Sequence, residues 1–382
     1  SLGAHNLDPY LLKCAALIIA GVVTHIFNQT FIVGKIPKSW KTAFVLPLLK
    51  GGDGSELDNY RPISKLSCLA KILESLVNRQ LQSFLTVNNT LSSNRSGFRP
   101  KHSTITATVR VVNYITNALD NRKYCAALFI DLSKAFDTVD HAILLGKLSS
   151  IGLGLDACRW FHDYLKDRSQ AVRFDGIQSE PLELVKGVPQ GSILGPLLFT
   201  LRINNISDEI RKCQIHLYAV DTVMYSISST ADQALSLLET DFKISQGSFI
   251  QLELVLNAKK THFMIFKRFK KLVENTLALT SLDGSQINQV SAYKYLGIWL
   301  DDKLSFKMHI DELCKRLKIK LGFLYRNRTC LSSTNRRQIV QATLMFVIDY
   351  GDIIYMHATA STLKSLDATY HCALRFITGA SY

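Results

Sequence analysis

The sequence predicts a mixed α+β fold, and three observations lead there. Segments with apolar residues at three- and four-residue steps alternate with short apolar or alternating runs of strand length. Turn signals built on Gly, Pro and polar residues separate them. No short repeat and no low-complexity linker interrupts the chain, so one continuous body is expected.

Taken in order, Leu11 to Phe31 (LLKCAALIIAGVVTHIFNQTF) is apolar enough to test as a membrane span. Lys13, His25 and Asn28 interrupt it, leaving a run too short to cross a bilayer, so a core helix is expected. No secretory signal precedes it. Phe44 to Leu49 reads as a short strand before the polar turn Lys50-Gly51-Gly52-Asp53-Gly54. Leu66 to Leu85 is helical, with Leu69, Ile72, Leu73, Leu76 and Leu81 on the expected steps, and Thr104 to Leu119 is another helix. Cys125 to Leu132 (CAALFIDL) is a nearly continuous apolar run, as in a strand buried on both faces. Ile143 to Trp160 is helical with a break near Gly152-Leu153-Gly154. Ala171 to Phe174 and Leu182 to Val185 suit a hairpin, and Leu197 to Ile206 a helix entered through a Gly/Pro turn. Gln214 to Ile227 suits a second hairpin. Short strands follow at Phe263 to Phe266 and Tyr293 to Leu300, then basic helices from about Met308 to Leu324 and Arg336 to Phe346.

With 382 residues, 47% of them hydrophobic and 20% charged, the chain can bury a large core. The net charge of +14 is unevenly placed: Lys259 to Arg337 holds 17 Lys/Arg against 6 Asp/Glu. A basic region beside a near-neutral remainder suits a polyanionic partner, although a solvated basic surface has the same composition. The eight cysteines, Cys14, Cys68, Cys125, Cys158, Cys213, Cys314, Cys330 and Cys372, show no C-x-x-C pair. Structural zinc is therefore disfavoured, and reduced, mostly buried thiols in an intracellular protein are expected.

Three blocks carry candidate chemistry. In Phe129-Ile130-Asp131-Leu132-Ser133-Lys134-Ala135-Phe136-Asp137 a carboxylate ends a buried strand, which is costly unless a cation or hydrogen bonds compensate it. Asp131 is a metal-ligand candidate, or else the N-cap of a following helix. In Gly187-Val188-Pro189-Gln190-Gly191-Ser192-Ile193-Leu194-Gly195-Pro196 the glycines allow close backbone approach to a ligand and Gln190 offers an amide; a turn with a well-made helix start reads the same way. Tyr218-Ala219-Val220-Asp221 lies at a hairpin tip, where an Asp often means only a turn. Paired with Asp131, however, Asp221 could hold divalent cations for phosphoryl transfer.

These blocks, in this order, resemble the palm of reverse transcriptases, and the flanking sequence narrows the likeness to non-LTR (LINE-type) retrotransposons. Leu48 to Ser64 (LLKGGDGSELDNYRPIS) and Ser96 to Thr104 (SGFRPKHST) resemble the family's fingers motifs. Leu256 to Phe266 (LNAKKTHFMIF) and Tyr293 to Asp301 (YKYLGIWLD) resemble its later palm motifs. The resemblance implies a right-hand polymerase with fingers, an antiparallel palm sheet with helices on one face, and a helical thumb. It places an N-terminal extension and fingers in 1–125, palm with interleaved finger elements in 126–300, and a basic thumb-like region in 301–382.

It further implies RNA-directed DNA synthesis on an RNA template and DNA primer, with dNTP substrates and two Mg2+ ions held by Asp131 and Asp221. Arg61 and Arg99 would clamp the triphosphate. Phe136 would sit under the incoming sugar and Gln190 would contact the templating pair or nucleotide. Lys260 would stand near the leaving pyrophosphate, with Lys259 as an adjacent competitor. The helices after Met308 would hold the duplex by its phosphates. Nuclear and cytoplasmic location is the family expectation, and no membrane partner is expected.

The chain departs from the family in two places. The third palm motif normally reads Tyr-Ala-Asp-Asp, and Val220 stands where its first Asp would join Asp131 on the metals. Val suits a strand, so the hairpin should fold while the Mg2+ site is incomplete and catalysis impaired; a non-catalytic nucleic-acid-binding remnant is the alternative. Asp137 and Asp140 are poor substitutes, because the chain turns away after Asp131. Asn204-Asn205 replaces a common Asn-Asp. A start at Ser1, with neither upstream endonuclease nor cysteine-rich tail, is expected of one piece of a longer reading frame.

Overall fold

A buried, six-residue apolar run organises the sheet that carries the candidate carboxylates. In the computed structural model, which describes residues 8–268 and 278–380, Cys125 through Ile130 are each at most 3% exposed. They belong to the strand Tyr124–Ile130, central in a six-stranded sheet. Its neighbours are Asp221–Ser228 on one side and His262–Phe266 on the other, both antiparallel to it. Gln214–Tyr218 continues the sheet beyond the first, and Gln286–Gln289 and Leu279–Thr280 beyond the second. A strand covered on both faces must be apolar at every position rather than at alternate ones.

The two faces are covered by different elements. Ala127 and Phe129 share a face with Val223 and Tyr225, their register partners on the next strand. That face joins the core of helix Thr104–Asp120, whose Val111, Ile115 and Leu119 pack into the same cluster, along with residues of helices Lys307–Arg326 and Ala360–Thr378. On the opposite face Ser226 donates to the Ala234 carbonyl of helix Ala231–Gln251 at 2.6 Å. The expected helices after Met308 are present, with Ser333–Val340 running through one π turn to Ile348. Helices Ala231–Gln251 and Ala360–Thr378 had no counterpart in the sequence reading. Lys270 and Lys271 of the basic run lie outside the described residues.

Contacts divide the chain into two compact units. The first takes residues up to Phe98, Leu132–Glu209 and Gly247–Leu256; the second takes Arg99–Asp131, Ile210–Gln246 and everything from Asn257 onward. The first holds a second sheet, in which Thr42–Leu49 pairs antiparallel with Tyr60–Lys65 and parallel with Ser169–Phe174. Arg173 and Phe174 form a tight hairpin with Ile177–Gln178, while Leu182–Glu183 pairs with Ser169 and Gln170 rather than with 171–174 as expected.

Two expectations need correction. Helix Ala16–Val33 is not a core helix: only 11% of it is buried, and Leu17 and Ile18 are 96% and 84% exposed. By length and composition it is long and apolar enough to cross a membrane. It is held at one end only, where Phe27 meets Trp40, Phe31 meets Trp160, and the Trp160 indole donates to the Thr30 hydroxyl at 3.3 Å. An apolar run without a polar face reads as buried, but burial needs a second surface that sequence does not supply. The cysteines are all free, as expected, yet only Cys125, Cys213 and Cys314 are buried, while Cys14 and Cys330 are exposed.

Two buried basic side chains stand out by what they lack. His309, on helix Lys307–Arg326, accepts from the Trp299 amide at Nδ1, and its Nε2 is buried without a partner. Burial and then the Lys294 charge push its pKa from 6.5 down to about 4. Arg95 is fully buried, none of its three guanidinium nitrogens has a hydrogen bond, and burial alone pushes it down to about 10.

Both lead to measurable outcomes. His309 has a depressed folded pKa, so the unfolded chain binds the proton first, and stability present above pH 6.5 is lost as pH falls toward about 4. The loss is at most about 3 kcal/mol, and urea melts at neutral and mildly acidic pH should show it in the wild type and much less of it in His309→Gln. Arg95→Met removes a charge that nothing compensates and should stabilise the protein by about 1–4 kcal/mol. An unchanged or lower melting temperature for Arg95→Met would contradict that account.

Candidate active site

Antiparallel register brings the two candidate carboxylates together. The ladder between Tyr124–Ile130 and Asp221–Ser228 ends with Ile130 opposite Thr222. One further step in that register sets Asp131 opposite Asp221, on the face shared by Phe129 and Val223. The proximity registers electrostatically: burial first, then the Asp131 carboxylate, push the Asp221 pKa above its ordinary value. Water at the open side of Asp221 screens part of that effect.

Asp131 is not a helix cap. The chain after it continues into a two-residue strand, Leu132–Ser133, and the next helix, His141–Ser150, is capped by Asp140, which accepts from the Ile143 amide at 3.0 Å. Instead the turn at residues 257–261 grips the Asp131 backbone on both sides. The Asn257 amide donates to the Asp131 carbonyl at 2.9 Å, and the Asp131 amide donates to the Thr261 hydroxyl at 3.2 Å. Lys260 belongs to this turn, is exposed, and donates its own amide to the Asn257 carbonyl. Asp131, Asp221 and the Lys260 turn therefore form one constellation.

Aromatic rings floor it. Tyr293 stacks on Phe129 with centroids 4.1 Å apart and planes 13° apart. Burial, then Asp221, then Asp131 push its phenol up to about 12. Tyr295, also buried, meets His216 through its hydroxyl at 3.4 Å. Sequence reading placed this segment in a late palm motif but gave neither tyrosine a place beside the carboxylates; the signal available was the paired Tyr-Lys-Tyr alternation of a strand with one inward face.

The hairpin tip is intact without its expected acid. Tyr218 pairs with Asp221 across a two-residue connection, Ala219-Val220, with Ala219 at φ +55°. A positive φ suits the first position of a tight hairpin turn, at a cost for a residue with a Cβ. Val220 is half-buried. Among the described residues no group of three or more His, Cys, Asp or Glu converges as a metal site. Asp131 and Asp221 offer two carboxylates to divalent cations, whose other oxygen ligands would come from water and substrate phosphates, and Val220 offers none.

Three other site candidates, Phe136, Gln190 and Arg61, lie in the first compact unit. Phe136 is half-buried with its ring 5.0 Å from that of Phe199. The Gln190 side-chain Nε2 donates to both carboxylate oxygens of Asp137, at 2.9 and 3.0 Å. Asp137 is therefore engaged, as Asp140 is at its helix cap. Arg61 is exposed on Tyr60–Lys65, opposite Leu48. Arg99, in the second unit, is partly buried in the loop before helix Thr104–Asp120, where its charge helps to hold the His102 pKa down after burial.

The glycine-rich segment reads either as a close backbone approach to a ligand or as a turn with a well-made helix start, and its glycines approach the chain's own backbone. At Gly191, φ is +126° and a Cβ would come within 2.6 Å of the Ser64 carbonyl oxygen. At Gly187, φ is +90° and a Cβ would meet the Asp137 carbonyl oxygen at 2.8 Å. The Ser64 amide donates to the Gln190 carbonyl at 2.7 Å, and the buried Glu74 carboxylate accepts from the Ile193 amide at 2.7 Å and the Tyr164 hydroxyl at 2.9 Å. Asn204 has a structural role: its side chain accepts from the Ser92 amide and donates to the Thr90 carbonyl, pinning that loop. Asn205 is exposed, and nothing in the structure explains an amide rather than an acid there.

Comparison with known proteins points to one family. The family described as reverse transcriptase (RNA-dependent DNA polymerase) matches residues 48–300, which include every candidate site residue named above. The probable RNA-directed DNA polymerase from transposon BS of Drosophila melanogaster is 30% identical, over 100% of this chain and 43% of that protein. The RNA-directed DNA polymerase from mobile element jockey of the same organism is 30% identical, over 94% of this chain and 40% of that protein. The chain thus spans about two fifths of the length of these relatives. Among solved structures, telomerase from Candida tropicalis in complex with a fragment of telomeric RNA is 12% identical, covering 94% of this chain and 66% of that one, with a TM-score of 0.47. The chain belongs to the reverse transcriptase family, as a reverse transcriptase domain of the non-LTR retrotransposon kind.

Proposed function

We propose that this chain is the polymerase core of RNA-directed DNA synthesis and that in this copy the chemical step is impaired. One observation carries the reading: Val220 occupies the hairpin position beside Asp221, across from Asp131, and no third carboxylate converges there among the described residues. Phosphoryl transfer of this class depends on positioning and on neutralising charge that builds up in the transition state. Asp131 and Asp221 alone leave a Mg2+ pair short of ligands, so the same fold is left better able to bind than to react.

In this reading residues 1–125 supply fingers, 126–300 palm and 301–382 thumb. RNA template and DNA primer are the polyanionic partners of the basic helices, and a dNTP is the small substrate. Arg61 and Arg99 supply guanidinium forks for a triphosphate. Phe136 offers bulk against a sugar 2′-hydroxyl, and the half-buried state of its ring leaves an edge for that contact. Gln190 lies where an amide could meet a base once it releases Asp137. Lys260, on the turn that grips Asp131, would be the proton donor to the leaving group. The non-catalytic remnant is favoured by the same valine and differs from an impaired enzyme only in whether any extension survives.

Primer extension on poly(rA)/oligo(dT) separates the outcomes. The wild-type sequence should give little product. Val220→Asp should raise the rate about 10³-fold, equivalent to about 4 kcal/mol of recovered transition-state stabilisation. Robust wild-type synthesis abolished by Asp131→Ala would overturn the impairment. Duplex binding with no extension in either form would favour the remnant.

A further inference from the structure

The first compact unit holds a polar cleft lined by none of the residues given a chemical role above. Its volume is about 310 Å³, at the small end of ligand pockets. Gly146 and Lys147 reach it from helix His141–Ser150, and Arg202 from the last position of helix Gly195–Arg202. Asn205 and Glu209 join from the turn that follows Arg202, and Ser248 and Gln251 from the end of helix Ala231–Gln251. A Cβ at Gly146 would meet nothing within 4 Å, so the chain's own packing leaves that side open.

Two cations meet in this cleft without a counter-ion. Arg202 is only 2% exposed. Its two terminal nitrogens donate to the Thr138 and Leu252 carbonyls, while its Nε is buried with no partner. Lys147 is half-buried, and burial pushes its pKa below the usual value, which Asp208 only partly offsets. Among the described residues neither cation enters a salt bridge. Glu209, the cleft's own carboxylate, accepts from the Ser248 hydroxyl at 2.5 Å instead of pairing with either of them. Like charges held together away from bulk water are costly, and an anion with several acceptor oxygens offsets that cost.

We propose that this cleft binds a small phosphate monoester, with the phosphate between the Lys147 ammonium and the Arg202 guanidinium. A monoester carries about −1.5 to −2 charges at neutral pH and three acceptor oxygens, which matches two cations that lack a partner. The rest of the lining suits a hydroxyl-bearing body such as a sugar: the Asn205 and Gln251 amides both donate and accept, and the Glu209 carboxylate accepts from a hydroxyl. The site uses neither the carboxylate pair nor the turn that holds Asp131, so the inference stands apart from the polymerase reading.

The test is isothermal titration calorimetry of the full chain with ribose 5-phosphate and with inorganic phosphate, without added Mg2+. The wild type should bind ribose 5-phosphate, and Lys147→Met should weaken that binding about tenfold. Lys147→Arg keeps the charge and should keep most of the affinity. Glu209→Gln removes the opposing charge and should tighten binding about threefold. Gly146→Leu fills the cleft from a position where leucine favours helix more than glycine does, so it should abolish binding without lowering the melting temperature. A preference for ribose 5-phosphate supports the monoester. Equal affinity for inorganic phosphate overturns the part given to Asn205 and Gln251 and keeps the phosphate site. Affinity unchanged in both Lys147→Met and Gly146→Leu overturns the proposal, as does a folded wild-type chain that binds neither ligand.

Discussion

The antiparallel register of Tyr124–Ile130 with Asp221–Ser228 is the constraint on which the rest of the site depends. It is enforced by burial rather than by the carboxylates. Cys125 through Ile130 are enclosed on both faces, and a one-residue slip would exchange every side chain between the two covering layers. Packing of that quality fixes where the strand ends, and so fixes Asp131 against Asp221. The 257–261 turn then holds the Asp131 backbone by two hydrogen bonds, so that two like charges stay close despite their repulsion.

This division of labour makes the fold independent of the side chain at position 220. Val220 lies in a turn whose flanking residues still pair, and valine costs the hairpin little. Nothing in the six-stranded sheet depends on what residue 220 could ligate. Arg95 is a departure of another kind: it is a buried charge with no partner, and its cost falls on stability rather than on chemistry. The glycine-rich loop belongs with the structural constraints. Gly187 and Gly191 pass so close to the carbonyls of Asp137 and Ser64 that a Cβ would not fit, and Glu74 holds the Ile193 amide, so the loop's shape is set by its own surroundings.

Much of this was legible in the sequence because the relevant signals are local. The apolar run before Asp131 announced a central strand, the alternation from Gln214 to Ile227 announced the hairpin, and the Gly/Pro entry announced helix Gly195–Arg202. Helix Ala231–Gln251 escapes the periodicity because its apolar residues are diluted by Ser, Thr and Asp, of which Ser245 bonds the Phe242 carbonyl within the helix and Asp241 accepts from the distant Lys212 and Cys213 amides. Helix Ala16–Val33 misled in the opposite direction, since its composition suggested a core that the structure does not build around it.

The sequence by itself determined the family, the order of the motifs and the missing acid at Val220, because residue identity and order are all those require. Tertiary structure alone decided which groups meet: Tyr293 under the carboxylate pair, Gln190 on Asp137, Asn204 across to Ser92, and Lys147 with Arg202 on one cleft. Such meetings join residues tens to more than a hundred positions apart. They are fixed by strand register and by which faces find a partner to bury them, and neither is written in any local stretch of chain.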